Sequence, residues 1–342
     1  MDVRLVICGL GRVGKAFVEL LAQKEKTLEQ RYGLNLQMTA AVDIGGAALS
    51  PQGLPLADLL AHLQKGGRVE EMPRFGQKGF SDTGALTSEW ADVLVEATPT
   101  NLRDGEPGLT HLRTALSHGL HVATAAKGPL VLQYGELKNL ARKTKTRLMI
   151  SAATAAALPT LDVGLSCLAG TDVLAAEGIL NGTTNYILTR MHDDGCPYTE
   201  ALAEAQRMGV AEPDPSLDVE GRDTANKILL IANEVFNAGL SLQDVPVEGI
   251  TRLTSKEIDQ AKRDGKVIKL LGKVENKDGK ISAFVAPIAL PVDHPLAQVR
   301  GTEKALSYLT DTMDRVTVAG GKSSPTGAAA ALLKDIIRIY IG

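Results

Sequence analysis

A chain of 342 residues with 44% hydrophobic side chains has enough apolar material for two buried cores, at about 100–200 residues per domain. Its formal charge of −3 provides no positive field for phosphate neutralisation, which argues against a nucleic-acid partner. Its 3 cysteines (Cys8, Cys167, Cys196) are far apart and form no C-x-x-C pair, so a disulfide framework and a zinc ribbon are excluded and a reducing, cytoplasmic setting is expected.

The N-terminal run through Ile7 is a short buried strand over residues 3–8, without the basic and long apolar regions of a signal peptide. Cys8 ends that run and reads as packed rather than reactive. Nowhere does an apolar run approach the roughly 20 residues that span a bilayer, so a soluble protein with no membrane partner is expected. The strand meets Gly9-Leu10-Gly11-Arg12-Val13-Gly14, and a helix follows to about Gln23 with Val13, Phe17, Leu20 and Leu21 on one face. Met38–Val42 is a second strand, ending at Asp43. Val93–Ala97 is a third, followed by Thr98-Pro99-Thr100 and a helix from Gly108 to about His118. Val122–Thr124 leads to Lys127-Gly128-Pro129, a helix spans about Tyr134 to Arg142, and Leu148–Ser151 is another strand. This alternation predicts an α/β fold, a Rossmann-type doubly wound parallel sheet.

After about residue 152 the rhythm changes. A strand at Ala176–Leu180 and helices from Asn185, over Thr199–Met208 and over Val219–Asn237 precede alternating apolar positions within 267–290, which suggest an open sheet. The expected division is a dinucleotide-binding domain, 1–151, completed by a segment of about 301–342 whose helix Ala328–Ile341 returns to it, and an α+β substrate domain, 152–300. His192 and His294 lie in polar contexts without metal-ligand partners and read as surface residues.

In the glycine loop, Gly9 allows the turn, Gly11 lets the backbone approach a pyrophosphate, and Gly14 permits close helix–strand packing. Backbone N–H groups of Arg12 and Val13 at the helix start suit phosphate. Asp43, 29 residues after Gly14, is placed to accept from ribose hydroxyls. Ile44-Gly45-Gly46 offers no cation for a 2′-phosphate, so NAD is favoured, while Arg12 or a loop lysine leaves NADP open.

The most specific stretch runs from Gly209 through Glu212, Asp214, Asp218, Gly221 and Asp223 to Lys227. It resembles homoserine dehydrogenase, and so do Asn181-Gly182-Thr183-Thr184-Asn185, Thr98-Pro99-Thr100-Asn101, Gly105-Glu106-Pro107 and Thr124-Ala125-Ala126-Lys127-Gly128-Pro129. The likeness extends from residue 5 to about 340 and is to the short form, lacking an aspartokinase or regulatory domain. It implies interconversion of L-homoserine and L-aspartate 4-semialdehyde, a step toward threonine and methionine, by a homodimer joined through the second domain. It also implies Lys227, Lys127 and Asp223 as catalytic residues, and Glu212, Asp218, Asp223, Gly182 and Thr183 around the substrate. Gly9, Gly11, Arg12, Val13, Gly14, Asp43, Thr98, Lys127 and Gly209 would serve the cofactor. The residue types agree independently: aldehyde reduction needs a proton donor, and Asp223 at i−4 can orient the Lys227 ammonium. A second ammonium at Lys127 would lower the pKa of the first.

Three departures from the family pattern stand out. Ala126 replaces an asparagine before Lys127, and Ser151 replaces the glutamate that begins a monovalent-cation loop, leaving carbonyls at Ser151, Thr154, Ala156 and Leu158 as the possible sodium ligands. The third is the altered glycine loop Gly320–Gly327, where Lys322 could reach a phosphate. Two competing readings follow: a paralogue that oxidises a related hydroxy compound, and a dinucleotide-binding protein that has lost turnover.

Overall fold

A computed structural model describes residues 1–321 and 324–341; the expectation for Lys322 lies outside the described residues. The chain divides into Met1–Ala157 with Ser324–Gly342, and Leu158–Ser323.

The first unit has strands β1 (Asp2–Cys8), β2 (Asn35–Asp43), β3 (Gly46–Leu49), β4 (Gly76–Lys78), β5 (Val93–Glu96), β6 (His121–Thr124) and β7 (Leu148–Met149). Its helices are α1 (Arg12–Tyr32), α2 (Leu56–Gln64), α3 (Gly108–Ser117), α4 (Lys127–Thr144), the short α5 (Ser151–Thr154) and the C-terminal α12 (Pro325–Ile341). The sheet order is β4-β3-β2-β1-β5-β6-β7. From β2 to β7 the pairings are parallel, but β3 and β4 add antiparallel edge strands, so the sheet is mixed. Continuous apolar runs such as Leu5-Val6-Ile7 and Val93-Leu94-Val95 are buried on both faces, as a parallel sheet covered by helices requires. The strand order reverses between β1 and β5, which opens a crevice at their carboxyl ends.

Several element boundaries differ from the expected ones. Helix α1 continues past Gln23 to Tyr32 because the polar run after it still forms helix and Leu28 returns to the core; Gly33 at φ +64° then stops it. Helix α4 starts at Lys127, not Tyr134, with Gln133 kinked inside it and Pro129 tolerated in its first turn. The strand expected to reach Ser151 ends at Met149, and Ser151 opens α5 instead.

The second unit carries β8 (Val173–Ile179), β9 (Lys266–Lys277), β10 (Lys280–Pro291), β11 (Lys304–Thr310) and β12 (Arg315–Gly320), in the antiparallel order β10-β9-β8-β11-β12. Its helices are α6 (Thr160–Asp162), α7 (Gly182–Asp194), α8 (Tyr198–Arg207), α9 (Ser216–Val219), α10 (Arg222–Val235) and α11 (Ser255–Arg263). Strands β11 and β12 shift the expected boundary: residues 304–320 belong here because β11 pairs with β8 and β12 with β11. Helix α10 lies so close to β9 that a Cβ on Gly272 would come within 3.0 Å of Ile228. Gly221, at φ +83°, separates the short α9 from α10, so the helix expected over 219–237 starts at Arg222 and ends at Val235.

The opposite face of this sheet carries Phe284, Lys273, Glu177, Ser307 and Thr317 in register. Glu177 accepts from Arg315 and lies 3.2 Å from His294 Nε2, so His294 is partly enclosed rather than a plain surface residue. His192 is also half-buried, with its Nδ1 enclosed.

Candidate active site

In the first unit the glycine loop leaves β1 at Cys8. Gly9 stands at φ +92°, and a Cβ there would fall 2.7 Å from the backbone of Ala97 and Thr98, so two strand ends cross with no space for a side chain. A Cβ on Gly14 would lie 2.0 Å from the Gly9 carbonyl oxygen, which is the close packing expected of it. A Cβ on Gly11, the N-cap of α1, would meet nothing within 4 Å, and the helix start has no side-chain cap. The start of a 21-residue helix is thus open to an anion, with Arg12 exposed and Val13 packed against the core. These features fit the phosphates of a dinucleotide.

Asp43 is exposed at the end of β2; its carboxylate accepts from Leu10 N at 3.2 Å and Ile44 N at 2.9 Å. The expectation that no cation attends residues 44–46 needs correcting. Arg68 folds against Gly45, where a Cβ would come within 2.5 Å of its Nη2, and it pairs with the buried Glu70 at 2.7 Å. Arg68 is distant in sequence, so linear reading missed it.

Lys127 is the first residue of α4 and its N–H faces Thr100 Oγ1 at 3.4 Å. Gly128 is packed on Asn101, where a Cβ would be 1.9 Å from the carbonyl oxygen. Ala126 is buried and its N–H donates to Thr124 Oγ1 at 3.0 Å. Ser151 directs both its N–H (3.0 Å) and its hydroxyl (2.7 Å) to Asp335, and the Lys334 ammonium donates to the same hydroxyl at 3.0 Å. Thr154 donates to Ser151 O at 2.8 Å, and Ala156 adopts φ +52°. Burial raises the Asp335 carboxyl above its usual range, with Lys334 and Ser151 opposing.

The second unit assembles a separate polar cluster where β8 gives way to α7. Lys227 Nζ donates to Leu180 O at 2.7 Å and to Asp223 Oδ2 at 2.5 Å, the i,i+4 pairing expected on α10. Asn181 completes it: Nδ2 donates to Asp218 at 2.7 Å and to Asp223 at 3.0 Å, while Oδ1 accepts from Thr184 N and caps α7. Sequence reasoning missed this role of Asn181; an asparagine between a strand end and Gly-Thr-Thr is the N-cap signal that marks it.

Asp223 is 5% exposed, so one ammonium and one amide hold a carboxylate almost out of water. Such a lysine is oriented, held near a carbonyl, and able to exchange a proton with an oxygen presented to it. Gly182 lies against Thr302, where a Cβ would be 2.8 Å from its carbonyl oxygen, and Thr183 donates to Val210 O at 3.1 Å. Glu212 is exposed in the turn before α9, its carbonyl accepting from Gln206 Nε2 at 3.3 Å. Gly209, at φ +69°, ends the turn after α8.

Comparison with known proteins bears on this arrangement. The family model for homoserine dehydrogenase matches residues 159–337. The chain is 38% identical over 340 residues to a homoserine dehydrogenase of Methanocaldococcus jannaschii, covering 99% of this chain and 98% of that one. It is 36% identical to an NAD(+)-dependent homoserine dehydrogenase of Pseudomonas canavaninivorans, covering 99% and 96%. Among solved structures, an Archaeoglobus fulgidus protein provisionally called a homoserine dehydrogenase superposes with a TM-score of 0.87 at 33% identity, over 99% of this chain and all of that one.

Proposed function

The chain belongs to the homoserine dehydrogenase family, and we propose how its residues carry out that reaction, the NAD(P)-dependent interconversion of L-homoserine and L-aspartate 4-semialdehyde. The nicotinamide dinucleotide, when bound, supplies or takes up the hydride. The chain's own tasks are to bind, to orient and to move one proton at the substrate oxygen.

That proton is assigned to Lys227. The observation that carries the assignment is the Lys227–Asp223 pair at 2.5 Å, enclosed and braced by Asn181. In reduction the ammonium donates to the aldehyde oxygen; in oxidation the amine accepts the proton of the alcohol. Asp223 fixes the direction of Nζ, and Lys127 is proposed as a second proton-handling ammonium. Glu212 is assigned to the substrate amino group, Asp218 and Asp223 to the polar wall, and the backbone at Gly182 and Thr183 to the remainder. The cofactor set is Gly9, Gly11, Arg12, Val13, Gly14, Asp43, Thr98, Lys127 and Gly209. NAD is the favoured form because Asp43 presents acceptors to a ribose, and Arg68 provides the cation through which NADP is tolerated. A monovalent cation on the carbonyls of 151–158, a homodimer through the face bearing Phe284 and Leu309, and a cytoplasmic site complete the reading.

The test is an absorbance assay with L-homoserine and with aspartate semialdehyde, each with both dinucleotides. Absence of turnover in a protein that binds dinucleotide would overturn it. The Thr98 and Gly209 assignments are tested by dinucleotide affinity in Thr98→Ala and Gly209→Ala.

A further inference from the structure

Glu96, the last residue of β5, is fully buried, yet a central strand of this sheet is otherwise apolar at its neighbours Val93, Leu94 and Val95. Burying a carboxylate costs several kcal/mol unless donors surround it. Here they do. Oε1 accepts from Thr98 N at 2.8 Å and from the Thr98 hydroxyl, and Oε2 lies 2.8 Å from Nδ1 of His111, which is 2% exposed on α3. On its far side, His111 Nε2 is 3.4 Å from Asp82. Two of these contacts end on the residue whose backbone crosses Gly9 with no room for a Cβ.

We propose that Glu96, backed by His111, is a positioning residue for the dinucleotide, fixing the Thr98 turn across the Gly9 turn and so setting cofactor affinity. The proposal rests on the reading of Thr98 as a cofactor contact. Glu96 does not itself reach the ligand; it acts through Thr98. Burial would lower the His111 pKa, but the hydrogen bond to Glu96 and the charges of Glu96 and Asp82 more than offset it, so the net direction is upward. Cys8 Sγ also lies within 4.8 Å of the Glu96 and His111 ligand atoms, a distance that would admit a metal. Burial pushes the Cys8 thiol well up, however, which disfavours the thiolate a metal needs.

The experiment measures calorimetric affinity for NAD+ and steady-state kinetics in Glu96→Leu, Glu96→Gln and Thr98→Ala, with the whole chain. Glu96→Leu is expected to weaken NAD+ binding by about tenfold or more, since both Thr98 donors lose their acceptor. Glu96→Gln restores most of it, because its carbonyl can face Thr98 while its NH2 faces the other tautomer of His111. The KM for homoserine and kcat at saturating NAD+ stay near wild type in both. If Glu96→Leu does not fold, His111→Leu against His111→Asn makes the same comparison, with Asn retaining a donor toward Glu96. Weakened binding in Thr98→Ala with unchanged binding in the Glu96 or His111 variants overturns the proposal and leaves the Thr98 reading standing. Unchanged binding in Thr98→Ala removes the Thr98 reading and the proposal with it. Loss of NAD+ affinity in wild type on adding EDTA would assign the cluster to a metal and overturn positioning.

Discussion

Replacing Lys227 by Met separates what the ammonium does for the fold from what it does for the reaction. The substitution keeps length and apolar stem but leaves Asp223, at 5% exposure, with the Asn181 amide and without the charge 2.5 Å away. Removing one partner of a buried ion pair costs about 3–5 kcal/mol. At about 2–4 °C per kcal/mol for a unit of this size, melting should fall by roughly 6–20 °C. Removing the second charge as well, in Lys227→Met with Asp223→Leu, recovers most of that loss because no carboxylate is left uncompensated. Activity behaves differently. A positioned proton donor contributes about 10²–10⁴-fold, so kcat falls by that factor in the single variant and stays low in the double. Calorimetric melting and initial rates, measured on the same preparations, give both axes. Lys227→Met with kcat within tenfold of wild type would refute the assignment, and a double variant no more stable than the single would refute the ion-pair account.

The remaining predictions concern the cofactor end, the cation and a buried amine. Asp43→Ser should lower kcat/KM for NAD by about tenfold through loss of ribose hydrogen bonds, and Arg68→Ala should lower whatever NADP activity exists. An unchanged NAD/NADP ratio in both would contradict the roles given to them. In Gly14→Ala a methyl meets the Gly9 carbonyl at 2.0 Å, and overpacking of this kind costs about 1–3 kcal/mol. Its melting temperature should therefore drop and NAD+ affinity fall with it; a variant that melts and binds like wild type would show that the loop yields. A cation at 151–158 requires kcat to rise when sodium replaces choline at constant ionic strength, and a flat response removes it.

Lys269 is buried, donating to Asn185 Oδ1 and Val299 O, and its pKa is lowered from 10.5 to about 8, chiefly by desolvation and then by Arg300. The folded chain therefore sheds this proton before the unfolded chain does. Between about pH 8 and 10.5 the unfolded state binds more protons, so Lys269 makes stability rise with pH across that window. Denaturant midpoints of wild type relative to Lys269→Met should show this rise, and parallel curves would refute it.

What the sequence disclosed follows from the range over which each signal acts. Gly9, Gly11 and Gly14 were legible because a turn, an open approach and a close contact each need a missing Cβ at a fixed local spacing. Lys227 and Asp223 were legible because a helix brings i and i+4 together. The role of Asn181 was not legible, since its importance comes from Asp218 and Asp223, which only the fold brings within reach of its side chain. Arg68 and the Glu96–His111 contact were illegible for the same reason: Arg68 comes from the segment between α2 and β4, and the contact joins β5 to α3. Strand β11 escaped because it is buried on both faces and shows no alternation, so the second unit was cut short at residue 300. Apart from Arg68, motif reading therefore found the groups expected to touch ligand and missed those holding them in place. The Glu96 and Lys227 variants test these two classes separately, one by cofactor affinity at constant kcat and the other by kcat at recovered stability.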